Sequence, residues 1–352
     1  MNKTRNLNFD IIRILAAVLV FTVHLGQNTG YPSNAMNGFY GVWMFFILSG
    51  YLIFASLDKA DGQSLKKYYL KRIIRIVPLY YAVLILIYLY DFSRSIIIDR
   101  MSIIDVIGRN GICGPKFFRY FLFGQMFIPS DNYDLWNNRY VLWTMSAFAL
   151  FYLIAPLFKK IADSFYKSLV VLLAFYLVYK FVPGVIEEKL GGNPVIDLDS
   201  FASLNAICVM YLFFMGVSAY YAVREHKELI YAVIITLSYV YYICRGTEFE
   251  VIFALIIMIA GACESIHFSE NAERMILLLS KCSFPLYLTH ILCFDIITRA
   301  NAILMIDNLP RTIIMVVIAL PVAYVTYRVI DPIEKKLLLK LNKTGTNYCV
   351  EE

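Results

Sequence analysis

Ten apolar runs dominate the chain, separated by shorter polar connections. They fall at roughly 9–27, 38–56, 76–92, 139–158, 167–183, 201–222, 229–244, 248–265, 275–298 and 311–331. Crossing ~30 Å of hydrocarbon takes about 20 helical residues, and most of these runs are close to that length. The pattern predicts an all-α, polytopic membrane bundle of about ten transmembrane helices. Ten spans put both termini on one side. The N-terminal side and its loops hold 20 of the 32 Lys and Arg residues; the opposite side holds 11, and Arg13 lies within the first span. Positive charge favours the cytoplasm, so both termini are expected there. The acidic pairs Glu187–Glu188 and Asp197–Asp199 then fall outside.

The connection at 92–138 is too long for a simple loop. Within it, FFRYFLFGQMF (117–127) is apolar but too short to span, and is expected to be an interfacial or re-entrant piece near an outer cleft. Trp136 and Trp143 flank the start of the fourth span, where aromatic residues anchor at the interface. From Ile333 the chain reads as a short basic helix with a polar end. The expected division is a membrane domain over 1–335 and a polar cytoplasmic tail over 336–352. The sequence has no internal repeat, no low-complexity tract and no Gly-rich phosphate loop.

Composition agrees with this picture. The 352 residues are 60% hydrophobic and 16% charged, against ~25% charged for a soluble domain. MNKTRNLNFD precedes the first run and no small-residue cleavage site follows it, so the first helix is read as retained. The seven cysteines form no CxxC and mostly lie in apolar runs, as packing residues do; no metal site is expected. The net charge of +6 is assigned to membrane orientation and not to nucleic acid.

Chemistry concentrates in a few places. The first span, DIIRILAAVLVFTVHLGQ (10–27), carries Asp10, Arg13 and His24. Eleven helical steps of about 100° put Arg13 and His24 on one face, ~16 Å apart along the axis, and Asp10 on the same side as Arg13. Polar groups inside a span mark a functional site by default; the plain alternative is interfacial charge with His24 bonded to a neighbouring helix. In GVWMFFILSGYLIF (41–54), Gly41, Ser49 and Gly50 allow close helix approach, which packing explains as well as function does. In KKYYLKRIIRIVPLYY (66–81), Arg72 and Arg75 share a face beside Lys71. Such a cluster suits phosphates, or simply anionic lipid under the positive-inside rule. In SFPLYLTHILCFD (283–295), Pro285 is expected to kink the helix and His290 sits in an apolar run. Counting ~15 residues from each cytoplasmic start puts His24 and His290 at one depth, ~22 Å in. His226 and His267 fall in loops.

Taken in order, FDIIRILAAVLVFTVHL, GVWMFFILSGYLI, KRIIRIVP, LWTMSAFALFYLIAPL, SFPLYLTH and a closing Asp331-Pro332 resemble the acyltransferase 3 family of membrane-bound polysaccharide O-acyltransferases. The likeness covers nearly the whole chain. Two departures stand out: the acid often found after the fourth motif's serine is replaced in the Ala147–Phe148 region, and the closing acid is Asp where Glu is commoner. The resemblance implies an enzyme that moves an acyl group, usually acetyl, from acyl-CoA to a sugar hydroxyl, in a bacterial inner membrane. It implies His24 as the catalytic histidine with Arg13 and Asp10 in support; Arg72, Arg75, Lys71 and Ser49 on acyl-CoA; and His290, Tyr287 and Trp143 around a glycan acceptor. Acyl-CoA is then a co-substrate and no cofactor is bound. Membrane lipids are the remaining partner expected. The competing reading is a transporter or flippase for a glycan or lipid-linked sugar.

Overall fold

The computed structural model describes residues 5–30, 39–59, 64–110, 115–127, 141–190, 204–243 and 250–344. Among them are twelve α-helices and no strand: α1 (Leu7–Thr29), α2 (Phe39–Lys59), α3 (Leu65–Ile97), α4 (Ile103–Asn110), α5 (Pro115–Phe121), α6 (Trp143–Ile161), α7 (Phe165–Leu190), α8 (Met210–Arg224), α9 (Glu228–Ile243), α10 (Glu250–Ala262), α11 (Glu270–Leu304) and α12 (Asn308–Thr344). The protein is an integral membrane helical bundle. Seven helices are long and apolar enough to cross a membrane: α1, α2, α3, α6, α7, α11 and α12. The other three expected spans are helices of 15, 16 and 13 residues (α8, α9, α10).

Three helices outrun the expected spans, because polar turns continue the helix beyond the hydrocarbon. The third span was expected from residue 76, yet α3 starts at Leu65, where the Ser64 side chain accepts from the Lys67 N–H. Its basic cluster therefore rides on the helix itself, with Pro78 inside. Likewise α11 runs 35 residues, unbroken through Pro285, and α12 runs 37, through the expected boundary at 335. Trp136, Asp197 and Asp199 lie outside the described residues.

The centre of the bundle is α8, with twelve of its fifteen residues buried. A helix that is apolar all round has to be enclosed. Two glycines let α2 lie against it. A Cβ on Gly50 would strike the Phe213 carbonyl, and one on Gly216 the Ile47 carbonyl. Gly41 makes the same close approach to the backbone of α1 at Ala16. Phe213 then stacks between Phe46 (4.7 Å) and Phe151 (4.3 Å).

The short apolar segment packs into the protein. The Tyr80 and Tyr81 hydroxyls, midway along α3, donate to the carbonyls of Tyr120 and Phe121, each at 2.7 Å. Gln125 Nε2 donates to the Leu142 carbonyl (2.6 Å), and Asn205 Nδ2 donates to the Met126 carbonyl (2.9 Å). Non-helical backbone at membrane depth has to be satisfied by protein in this way. The turns at 204–209 that precede α8 use the same device. Asn205 Oδ1 accepts from the Ile207 N–H at 3.0 Å.

Charge locks the basic end. Asp58 at the end of α2 pairs with Lys159 of α6 and with Arg224 of α8 (2.5 Å), and accepts from the Tyr220 hydroxyl. At the same end, Asn6 and Asn8 donate to the Ala260 carbonyl that closes α10.

The glycine contacts are testable. Gly50→Leu or Gly216→Leu forces two backbones apart and is expected to cost ~1–3 kcal/mol, the usual range for overpacking. Gly184, with nothing within 4 Å of an added Cβ, is the control: Gly184→Ala should hold or raise stability. Thermal unfolding in detergent of the three variants checks the order.

Candidate functional site

The site is built on α1 and α11, which cross the bundle side by side. Near the basic end, Asp10 is 2% exposed. A carboxylate buried there requires cations and donors around it. Arg5 forks onto it, through Nε at 2.7 Å and through a second contact from Nη2. Arg13 Nη1 approaches at 3.1 Å, and the Ser280 hydroxyl of α11 donates at 2.6 Å. Arg13 Nη1 also donates to Ser280 Oγ at 3.1 Å. The Asp10–Arg13 link was expected from the spacing; Arg5 and Ser280 were not. Arg5 lies outside the apolar run, and Ser280 is one of many serines far along the chain.

Arg13 projects from this network into a cavity of about 490 Å³ between α1, α2, α3, α6, α11 and α12. Its lining includes Arg5, Arg13, Arg72, Arg75, Lys281 and Lys335 against Asp331 and Glu334. Six cations and two acids give the walls a formal charge of +4. Arg72 donates to Ser56 Oγ at 3.2 Å and stands over the rings of Tyr68 (5.4 Å) and Tyr152 (5.8 Å). Ser49 lines the cavity as well, so the small residues of the second motif divide: Gly41 and Gly50 serve packing, and Ser49 faces the space. Lys71 is not among the lining residues. Phe148, at the point where the fourth motif lacks its acid, is; the acids come from α12 instead.

Deeper in, the walls lose their charge and become Val42, Phe45, Leu79, Met145 and Tyr287. Beyond Tyr287 lies the histidine pair. The rings of His24 and His290 are 5.3 Å apart, as equal depth predicted. His290 is fully buried, and its Nδ1 lies 2.9 Å from the Leu286 carbonyl. A carbonyl only accepts, so Nδ1 carries the proton and Nε2 is the basic nitrogen. That Nε2 has no hydrogen-bond partner among the described residues. His24 Nδ1 lies 2.9 Å from Gln27 Oε1, which by the same reasoning makes its Nε2 basic.

The group expected around an acceptor separates. Tyr287 touches His290, with ring centroids 6.3 Å apart, yet it lines the charged cavity. Trp143 packs edge-on against Phe46 at 5.9 Å and is absent from the cavity wall. Position along a helix says which residues are neighbours but not which compartment a large ring faces.

These features define a helical membrane protein with a cationic cavity at one end and, beyond it, a pair of histidines of which His290 is buried and His24 half-buried. Residues 6–328 match the family model described as an acyltransferase domain, and the chain belongs to this acyltransferase 3 family. It is 25% identical over 377 residues to "Peptidoglycan O-acetyltransferase OatA" of Listeria monocytogenes, covering 93% of this chain and 56% of that protein. It is 28% identical over 198 residues to "Putative peptidoglycan O-acetyltransferase YrhL" of Bacillus subtilis, covering 53% of this chain and 29% of that protein. A third relative, "Putative acetyltransferase ORF330" of Acidianus two-tailed virus, is 28% identical over 167 residues, 46% of this chain and 44% of its own. The chain thus spans about half or less of the length of these relatives. No solved structure matches it.

Replacing Asp10 tests the network. Asp10→Ala leaves Arg5 and Arg13 without their shared carboxylate, and removing one partner of a buried pair costs up to ~3–5 kcal/mol. Half-exposure of Arg5 lowers the expectation to about 2 kcal/mol. The detergent melting point should fall more for Asp10→Ala than for Ser280→Ala, which removes two hydrogen bonds but leaves the carboxylate paired with both arginines.

Proposed function

We propose that the protein is an O-acyltransferase that takes an acyl group, most simply acetyl, from acyl-CoA on the cytoplasmic side and delivers it to a hydroxyl of a cell-envelope glycan. The observation that carries this reading is the cationic cavity, which ends at an uncharged wall next to two histidines. Family membership and the names of the relatives support acyl transfer to a glycan. In this reading the membrane is the bacterial inner membrane.

Arginine forks match phosphate oxygens and hold them in two directions at once. Arg72 and Arg75 enter the cavity from α3 and Arg13 from α1; together they are assigned to the phosphates of CoA. Ser280 and Asp10 fix Arg13, so its guanidinium is positioned before the donor arrives. From Ser280 to His290 is ten residues of α11, ~15 Å at 1.5 Å per residue, a span that an extended pantetheine arm covers.

At the far end the acceptor hydroxyl attacks the thioester carbonyl. The new C–O bond forms, the C–S bond breaks, and CoA leaves as the thiolate, which takes up the proton that the histidine has drawn from the hydroxyl. The hydroxyl proton passes to a histidine Nε2, assigned to His24, whose Nδ1 is held by Gln27. Positioned general bases contribute ~10²–10⁴-fold. His290 Nε2, buried and basic, is assigned to the acceptor hydroxyl as a positioning acceptor. Neither assignment requires a metal.

The first test is acyl content of the host's surface glycan by NMR, with wild type and His24→Ala at matched expression. The variant should fold, bind CoA and lose at least ~10²-fold in transfer. Transfer retained by His24→Ala overturns its role. An Arg72→Ala, Arg75→Ala double variant should weaken CoA binding at least tenfold, about 1.4 kcal/mol, and titration of the purified protein with CoA reads this directly. A transporter would instead move glycan without consuming acyl-CoA.

A further inference from the structure

Tyr287 stands between the cationic cavity and the histidine pair. Tyr287 lines the cavity and its ring lies against His290. The ring is 4% exposed and packs edge-on against Phe45 at 5.6 Å. Its hydroxyl is fixed at the far end, 2.8 Å from Thr144 Oγ1, to which it donates, and 3.2 Å from the Val141 carbonyl. Thr144 in turn donates to the same carbonyl at 2.7 Å. A Tyr held by packing on its faces and by two oxygens at its tip does not swing freely. Thr144 lies in the first turn of α6 and Val141 just before that helix, so the clamp ties α11 to the segment that follows the long outer connection.

From this geometry we infer that Tyr287 is the specificity-determining end wall of the donor cavity, limiting the acyl group to a short chain. This inference rests on the acyl-CoA reading. A CoA thioester anchored by the arginines points its acyl group at this wall. Behind the ring lie His290 and the Thr144–Val141 corner, so an acyl chain of several carbons has no space unless the ring is removed. A closed apolar pocket discriminates one methylene by ~10–200-fold. Discrimination of that kind needs a rigid wall, which the hydroxyl clamp supplies.

The test uses the full chain purified in detergent and titrated with CoA, acetyl-CoA, butyryl-CoA and hexanoyl-CoA. Wild type should bind hexanoyl-CoA at least tenfold more weakly than acetyl-CoA. Tyr287→Ala should reduce that ratio to about threefold or less. Tyr287→Phe, which keeps the ring and loses the clamp, should give a ratio between those of wild type and Tyr287→Ala. Should Tyr287→Ala fail to fold, Tyr287→Leu opens part of the same space and should lower the ratio in the same direction. Equal binding of acetyl- and hexanoyl-CoA by wild type, or an unchanged ratio in the folded Ala or Leu variant, overturns the inference. Absence of any CoA binding by wild type is a separate outcome, and overturns the donor reading beneath it.

Discussion

The buried Asp10 carboxylate is the contact on which the rest of the site depends. Hydrocarbon has no water to solvate it, so its burial is tolerable only with Arg5, Arg13 and Ser280 in place. Because Ser280 belongs to α11, satisfying the charge also fixes how α1 and α11 slide past each other. That register has a consequence about three to four turns further on. His24 is fourteen residues beyond Asp10 and His290 ten beyond Ser280. With the basic ends joined, the two rings come to 5.3 Å. One ion-pair network therefore places the cavity's innermost cation and brings the histidines together at the other end.

The rest of the bundle supports this pair in ways that follow from backbone contact. α2 presses against α8 through Gly50 and Gly216, and the same helix offers Ser49 and Phe45 to the cavity. A helix seated by backbone collision limits cannot drift, so the wall it forms is rigid. The non-helical turns around residues 122–127 and 204–209 lack a ladder of their own. Asn205 joins them by taking the Met126 carbonyl, Gln125 reaches the Leu142 carbonyl just before α6, and Tyr80 ties the middle of α3 to the Tyr120 carbonyl at the end of α5.

Much of this was legible from periodicity. Apolar runs located the long helices, and residue counting put His24 and His290 at one depth. Three-residue spacing paired Asp10 with Arg13 and Arg72 with Arg75. What the sequence hid has a common physical cause. Periodicity reports position along one helix and face around it, but not which neighbour that face meets. Ser280 has no local mark that separates it from Ser283, whose hydroxyl simply returns to the Ser280 carbonyl. Tyr287 shares a face with His290, so its nearness was readable; its place in the cationic cavity depends on how α11 is rotated against α2 and α6. Helix ends were missed for a different reason. Hydropathy finds where hydrocarbon stops, whereas Ser64 and the polar turns after it decide where α3 starts.

The order of the wall chemistry along the membrane normal carries a last consequence. Cations line the cavity from Arg5 to Arg13, and beyond them the lining is Phe45, Met145 and Tyr287. Charge is stabilised in the first zone and strongly disfavoured in the second, where nothing ionised faces the space. A ligand with an anionic head and a neutral arm is sorted by this gradient, its head retained among the arginines and only its uncharged end advancing. Depth of insertion is then set by where the charge stops and not by a specific contact with the arm. The histidines, neutral donors at Nδ1 and bases at Nε2, belong to the uncharged zone. There both rings are oriented by the hydrogen bonds that their Nδ1–H groups donate, His290 to the Leu286 carbonyl and His24 to Gln27 Oε1.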